Sequence, residues 1–412
     1  MSRLSLDVLK IRNFRFLLIA RMCVLMALQA QGLIVGWQVY TLTKSVWILG
    51  LTGLAEAIPA MMCTLFAGYV VDTGHPRKIF TACIGVMLLS VFGLWFISSG
   101  LIDVPSRTLI IVLFAGIVLS GFARGFISPA TFVMVSHIVA RKDYPSATSW
   151  QTTAHQTAFI GGPAIGGLLY GGYGAAASWL FPLTVMLVGF TVSLAFKITE
   201  APHEKKPRTT PLKNILEGWI FLFENKVLLS LMALDMLAVL FGGAIALLPA
   251  FADQILHVGA QELGILRASP AIGAVFAALY FALKPMKTLT GHRMLAVVAG
   301  FGLSMIGFGL SHTFTLALIC LTLSGIFDSI NMVIRGAMMQ ILTPDHMRGR
   351  VSAVSSLFVI SSNELGAFES GVAASLLGLV PSLLFGGAMT LVVAGGIALY
   401  CPQFRTLRVK SE

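Results

Sequence analysis

Twelve apolar stretches long enough to cross a bilayer constrain this chain more than any other feature. They lie at about 16–40, 46–71, 79–99, 108–136, 147–170, 177–196, 228–251, 261–283, 293–311, 314–341, 351–376 and 381–401. A spanning helix needs about 20 apolar residues, because backbone amides find no water in hydrocarbon and must bond to one another within the helix. Of the 412 residues, 57% are hydrophobic and 11% charged, against roughly 25% charged in a soluble domain. A soluble globular enzyme is thereby excluded, and an all-α membrane protein is expected. Six stretches precede and six follow a polar, Pro-containing linker at about Thr199 to Asn214, and Ile215 to Asn225 reads as a short interfacial helix. The expected domains are 1–198, an N-terminal six-helix bundle; 199–226, linker and interfacial helix; and 227–412, a C-terminal six-helix bundle. The first run, preceded by Arg3, Lys10 and Arg12, is too long for a cleaved signal and reads as span one.

A net charge of +11 raises nucleic acid as a partner, and its placement answers the question. If the connections are numbered alternately, 22 of the 28 Lys and Arg fall on side one, which includes both termini and the linker. Side two holds Lys44 and Arg107 only, and four arginines lie within spans. Cytoplasmic loops collect basic residues, so both termini and the linker are expected in the cytoplasm. The basic excess then faces an anionic leaflet, and no nucleic-acid partner is needed. The five cysteines stand singly in or beside apolar stretches and read as packing residues.

The two halves repeat each other. Gly53-Leu-Ala-Glu-Ala-Ile-Pro-Ala60 in span two matches Gly264-Ile-Leu-Arg-Ala-Ser-Pro-Ala271 in span eight, and Gly121-Phe-Ala-Arg124 in span four matches Gly325-Ile-Phe-Asp328 in span ten. Duplicated units of this kind make two pseudo-symmetric six-helix bundles that rock around a central site.

At the end of span two, Gly68, Asp72, Arg77 and Lys78 stand within Gly-Tyr-Val-Val-Asp-Thr-Gly-His-Pro-Arg-Lys. This resembles the signature loop of the major facilitator superfamily, with Thr73 in place of the usual base and the basic pair one residue late. Gly68 would admit a close helix neighbour and Asp72 would receive basic groups or a helix N-terminus, making a gate; the alternative is an ordinary loop rich in positive charge. Span five carries Gly162-Pro163-Ala-Ile-Gly166-Gly167, which resembles the antiporter element of that superfamily and reads otherwise as a packing face. Gly121 to Ala130, Gly264 to Pro270, Pro344 to Ala353 and Ser362 to Gly371 are similar to the enterobactin-exporter branch of bacterial drug and siderophore effluxers. The resemblance covers essentially the whole chain. It implies a twelve-helix fold, alternating access and a bacterial inner membrane location.

Charged residues inside spans cost about 2.5–3.5 kcal/mol each on insertion scales and need partners or a wet cavity. Here they are Arg21, Arg124, Arg267 and Arg335 against Glu56, Asp235, Asp328, Glu364 and Glu369. Arg21, Arg335 and Glu369 lie toward span ends, where snorkelling or capping is expected. Arg124 and Arg267 come from different halves and are candidate substrate ligands, with Gln151, Gln156 and Asn331 as polar contacts; paired guanidinium donors suit carboxylates or catecholates. Glu56, Asp235, Asp328 and Glu364 are candidate proton carriers, since a carboxylate can take up a proton in place of a cationic partner. His155 joins them as the histidine deepest in a span.

Enzyme signatures such as GxSxG, HExxH and the phosphate-binding loop do not occur, and Gly172 to Ala177 matches GxGxxA without a preceding strand. The chain is therefore expected to be no enzyme, to need no cofactor or metal, and to act as a monomer. The reading is a proton-coupled secondary transporter exporting a small amphipathic, oxygen-rich anion such as a siderophore, its partners being that substrate, protons and the bilayer. Multidrug efflux, uptake of an iron chelate, and a non-transporting receptor or scaffold remain as alternatives.

Overall fold

The computed structural model describes residues 7–140, 143–195, 219–283, 288–344 and 347–410. Spans one to four are the helices Arg12–Thr43, Val46–Thr73, Pro76–Ser98 and Ser106–Ile138. Spans five and six run through the helical stretch Tyr144–Ala195, broken at Gly174, whose φ of 78° and ψ of −175° lie outside the helical region and suit a residue without Cβ. Spans eight to twelve are Ala260–Leu283, Gly291–Gly309, Phe314–Leu342, Arg348–Leu377 and Leu379–Tyr400.

Among the described residues, ten segments are long and apolar enough to cross a membrane. Gly174 divides one of them into two, and Leu365–Leu377 within span eleven adds a shorter apolar helix, giving the twelve spans expected.

Span seven departs from one continuous helix. Lys226–Phe241 stops at Gly242-Gly243, a 3₁₀ turn follows at Ala244–Leu247, and Leu248–Gln254 completes the crossing. Two adjacent glycines weaken the helix, and Gly243 packs against the backbone of Gly366 in span eleven, where a Cβ would meet the Gly366 carbonyl carbon at 2.8 Å. Span starts are capped by side chains: Asn225 accepts from the Leu228 amide at 3.2 Å, and Thr290 from the Arg293 amide at 3.3 Å. Ahead of span seven, 219–224 is helical; the linker and the start of the expected interfacial segment lie outside the described residues.

The chain forms two compact units. The first holds the described residues up to Lys44, those between Leu54 and Lys205, and Val258–Ala268. Its core joins Leu17, Val24, Phe80, Ile84, Met134 and Met186. The second holds Ser45–Gly53 with the described residues of Lys206–His257 and Ser269–Glu412, around Leu231, Met294, Val298, Met338, Val351 and Phe404. The repeat seen in sequence recurs in packing. Gly121 of span four rests on the backbone of Glu56, and the matching Gly325 of span ten rests on the backbone of Pro270, one helical turn beyond the position that matches Glu56. Each glycine lets two helices touch where a side chain would hold them apart.

In the second unit the chain end folds back. A short helix, Pro402–Thr406, precedes strand β2 (Arg408–Lys410), which pairs antiparallel with β1 (Thr288–Thr290) between spans eight and nine. Phe404 and Leu289 are buried in the unit core, and the Gly291 amide donates to Leu407 O at 3.2 Å.

Candidate functional site

The first unit gathers three charges expected from sequence. Because Gly121 lies directly on Glu56, Arg124, one helical turn further along span four, reaches the same carboxylate. Arg124 Nη1 donates to Glu56 Oε1 at 2.6 Å. Arg267 interacts electrostatically with Glu56 as well, and its guanidinium lies over Gly32 of span one, where an added Cβ would stand 2.8 Å from Nη2. Two guanidiniums thus act on one carboxylate. Arg124 is the open member, its side chain 45% exposed. A second polar group stands between spans one and five: Arg21 Nη1 donates to Gln151 Oε1, and His155 stacks on Phe159 at 4.2 Å within reach of the Arg21 charge. Arg21 was expected to snorkel at a span end and instead bonds to a neighbouring helix. Gln156, on the same helix, is partly buried.

The second unit holds a cluster that sequence reading scattered over three roles. Asp235 of span seven accepts from Asn331 Nδ2 at 2.6 Å and pairs with Arg335 Nη1 at 3.3 Å. Arg335 Nη1 also donates to Ser355 of span eleven at 3.4 Å. Asp328 sits on the same face of span ten and interacts electrostatically with both Asp235 and Arg335. One expectation changes here, at Arg335. Asn331, expected to contact substrate, is 4% exposed and bonded to Asp235. Arg335, expected to snorkel, stands seven residues before the end of span ten at Leu342 and is paired inside the unit.

In the loop after span two one contact stands out that the sequence did not anticipate. Arg77 Nη2 donates to Leu194 O at 2.9 Å in the last turn of span six, where the helix dipole favours a cation. Lys78 is exposed. Gly68 has no described atom within 4 Å of an added Cβ, so no described helix neighbour uses the space it leaves. The side chains of Asp72 and Glu364 lie outside the described residues. The span-five element is a seam with two faces. A Cβ at Gly162 would meet Met26 O at 2.6 Å in span one, and Gly166 lies on Ala30 of the same span. At Gly167 an added Cβ would instead stand 2.7 Å from the Gly264 Cα. A Cβ at Gly264 would in turn meet Pro163 O at 2.6 Å.

Sequence reading missed a buried polar line along span one. Gln38 Oε1 accepts from Trp179 Nε1 at 3.0 Å, and Gln31 Nε2 donates to Ser120 at 3.1 Å. Glutamines seven residues apart in an apolar run share one helix face and were the available signal.

The comparisons agree with this architecture. The model of the Major Facilitator Superfamily matches residues 17–367. The enterobactin exporter EntS of Shigella boydii serotype 4 is 25% identical over 406 residues, covering 98% of this chain and 96% of that protein. A POT family transporter solved with a thioalcohol-conjugated peptide shares the fold with a TM-score of 0.76 at 12% identity, over 95% of this chain and 96% of that one. A bacterial homologue of the iron transporter ferroportin, solved facing inward, does so with a TM-score of 0.71 at 17% identity, over 96% and 99%.

Proposed function

The chain belongs to the Major Facilitator Superfamily, and from that premise we propose that this multi-pass membrane transporter is a proton-coupled antiporter. In this reading it exports a small, amphipathic, oxygen-rich anion such as a siderophore from the bacterial cytoplasm across the inner membrane. Two six-helix bundles alternate access, both termini and the linker lie in the cytoplasm, and the chain works as a monomer. The observation that carries the substrate class is the meeting of two guanidiniums at Glu56. Arg124, 45% exposed, is held at 2.6 Å by a carboxylate that also answers Arg267, and guanidinium groups suit a ligand with paired oxygens. Similarity to the enterobactin exporter supports the same class.

Gln151 and Gln156 supply further ligand contacts. Glu56, Asp235, Asp328, Glu364 and His155 form the pool of proton carriers. The loop of Gly68, Asp72, Arg77 and Lys78 gates the cytoplasmic side, where Arg77 already ties span three to the end of span six. The Gly162 to Gly167 seam holds spans one and five together during the cycle.

A second reading, multidrug efflux, draws on the second unit, where two carboxylates face one guanidinium and favour a cationic ligand. Siderophore secretion and dye tolerance, measured in cells with and without the protein, separate the two. Lost secretion supports the anion reading, whereas unchanged secretion with lost tolerance to cationic dyes overturns it.

A further inference from the structure

The second-unit cluster leaves two buried polar atoms unfilled. With Nδ2 of Asn331 given to Asp235, its Oδ1 accepts nothing among the described residues, and Arg335 Nε likewise donates to nothing. A buried acceptor or donor without a partner costs about 1–3 kcal/mol, so a group able to reach both atoms would gain by bonding to them. Asp328 is the group placed to do so. It lies three residues before Asn331 and seven before Arg335, on one face of span ten, and among the described residues it makes no hydrogen bond or ion pair within 4 Å. The charges acting on it are Asp235 of span seven and Arg335 of its own helix; the described residues of spans eight, nine and eleven add none.

We propose that Asp328 is the proton-binding group of this transporter, donating to Asn331 Oδ1 when protonated and accepting from Arg335 Nε when ionised. The inference rests on the proton-coupled reading above and selects one carrier from its pool. Binding transfers one proton from hydronium to a carboxylate oxygen of Asp328, forming one O–H bond and releasing water. The cluster of Asp235, Asp328 and Arg335 thereby passes from one net negative charge to neutral. Asn331 and Arg335 are positioning residues: the amide is oriented by Asp235, and Arg335 is paired with Asp235 while its charge also acts on Asp328. Asp235 and Ser355 both engage Nη1 of Arg335, which leaves Nε able to turn toward Asp328.

Infrared difference spectroscopy on the purified full chain in lipid, acidified from alkaline pH, tests this without any substrate. Wild type should gain one carbonyl stretch of a hydrogen-bonded, protonated carboxyl. Asp328→Asn should lose that band. Asn331→Val should keep the band at the higher frequency of a carboxyl without an acceptor, and Asn331→Gln should restore the lower frequency, a shift that a purely structural amide would not produce. A band that survives in Asp328→Asn, a frequency unmoved in Asn331→Val, or a wild type with no titrating carboxyl would overturn the proposal. Absence of flux driven by a pH gradient, with the band behaving as described, would remove the transport reading and leave the proton site standing.

Discussion

Arg124 Nη1 stands 2.6 Å from Glu56 Oε1, joining spans four and two inside the first unit. Both side chains are partly open, 45% and 28% exposed. The weight of the pair falls on the ligand. Arg124→Gln should raise the Kd for an anionic substrate about tenfold or more, one charge-assisted contact being lost. Thermal unfolding in detergent should change little. Equal Kd values for wild type and variant would remove Arg124 from the binding site.

The spans five and eight contact predicts a structural phenotype. A Cβ on Gly167 would sit 2.7 Å from the Gly264 Cα, and backbone cannot swing aside as a long side chain can. Gly167→Ala should destabilise by about 1–3 kcal/mol, the usual cost of overpacking. Gly172→Ala, with no described atom within 4 Å, is the matched control. Indistinguishable melting of the two variants would contradict the seam.

The returning chain end is the third target. Phe404 is fully buried beside Leu289 and Met294, so Phe404→Ala should cost about 3–5 kcal/mol. Arg405, exposed one residue later, should tolerate alanine without measurable change. Equal effects at both positions, read from the detergent melting curve, would mean that the tail is not part of the core.

Topology follows from the 22 basic residues on side one against Lys44 and Arg107 on side two. In a cysteine-free background, cysteine at Lys44 should label in intact cells and cysteine at Lys205 only after permeabilisation. Labelling of both from outside would reverse the orientation.

The spans were legible because hydrocarbon demands long uninterrupted apolar helices, and nothing but composition is needed to see them. The break at Gly242-Gly243 was not, since apolar residues continue on both sides of it and hydropathy cannot register a bent backbone. Glu56, Arg124 and Arg267 were legible as expensive charges that must be satisfied. Arg335 was misjudged because distance from a span end stood in for environment, while its partner Asp235 lies 100 residues away in sequence and only folding reveals it. The Asn331 amide donates to that same aspartate, a contact equally hidden in the sequence.

Proteoliposomes holding the purified full chain, given an imposed pH gradient and a radiolabelled catecholate siderophore, test the central claim most directly. Accumulation well above that of protein-free liposomes, collapsing when a protonophore dissipates the gradient, is the predicted result. Accumulation equal to protein-free liposomes, or flux indifferent to the protonophore, would contradict proton-coupled transport of this substrate class.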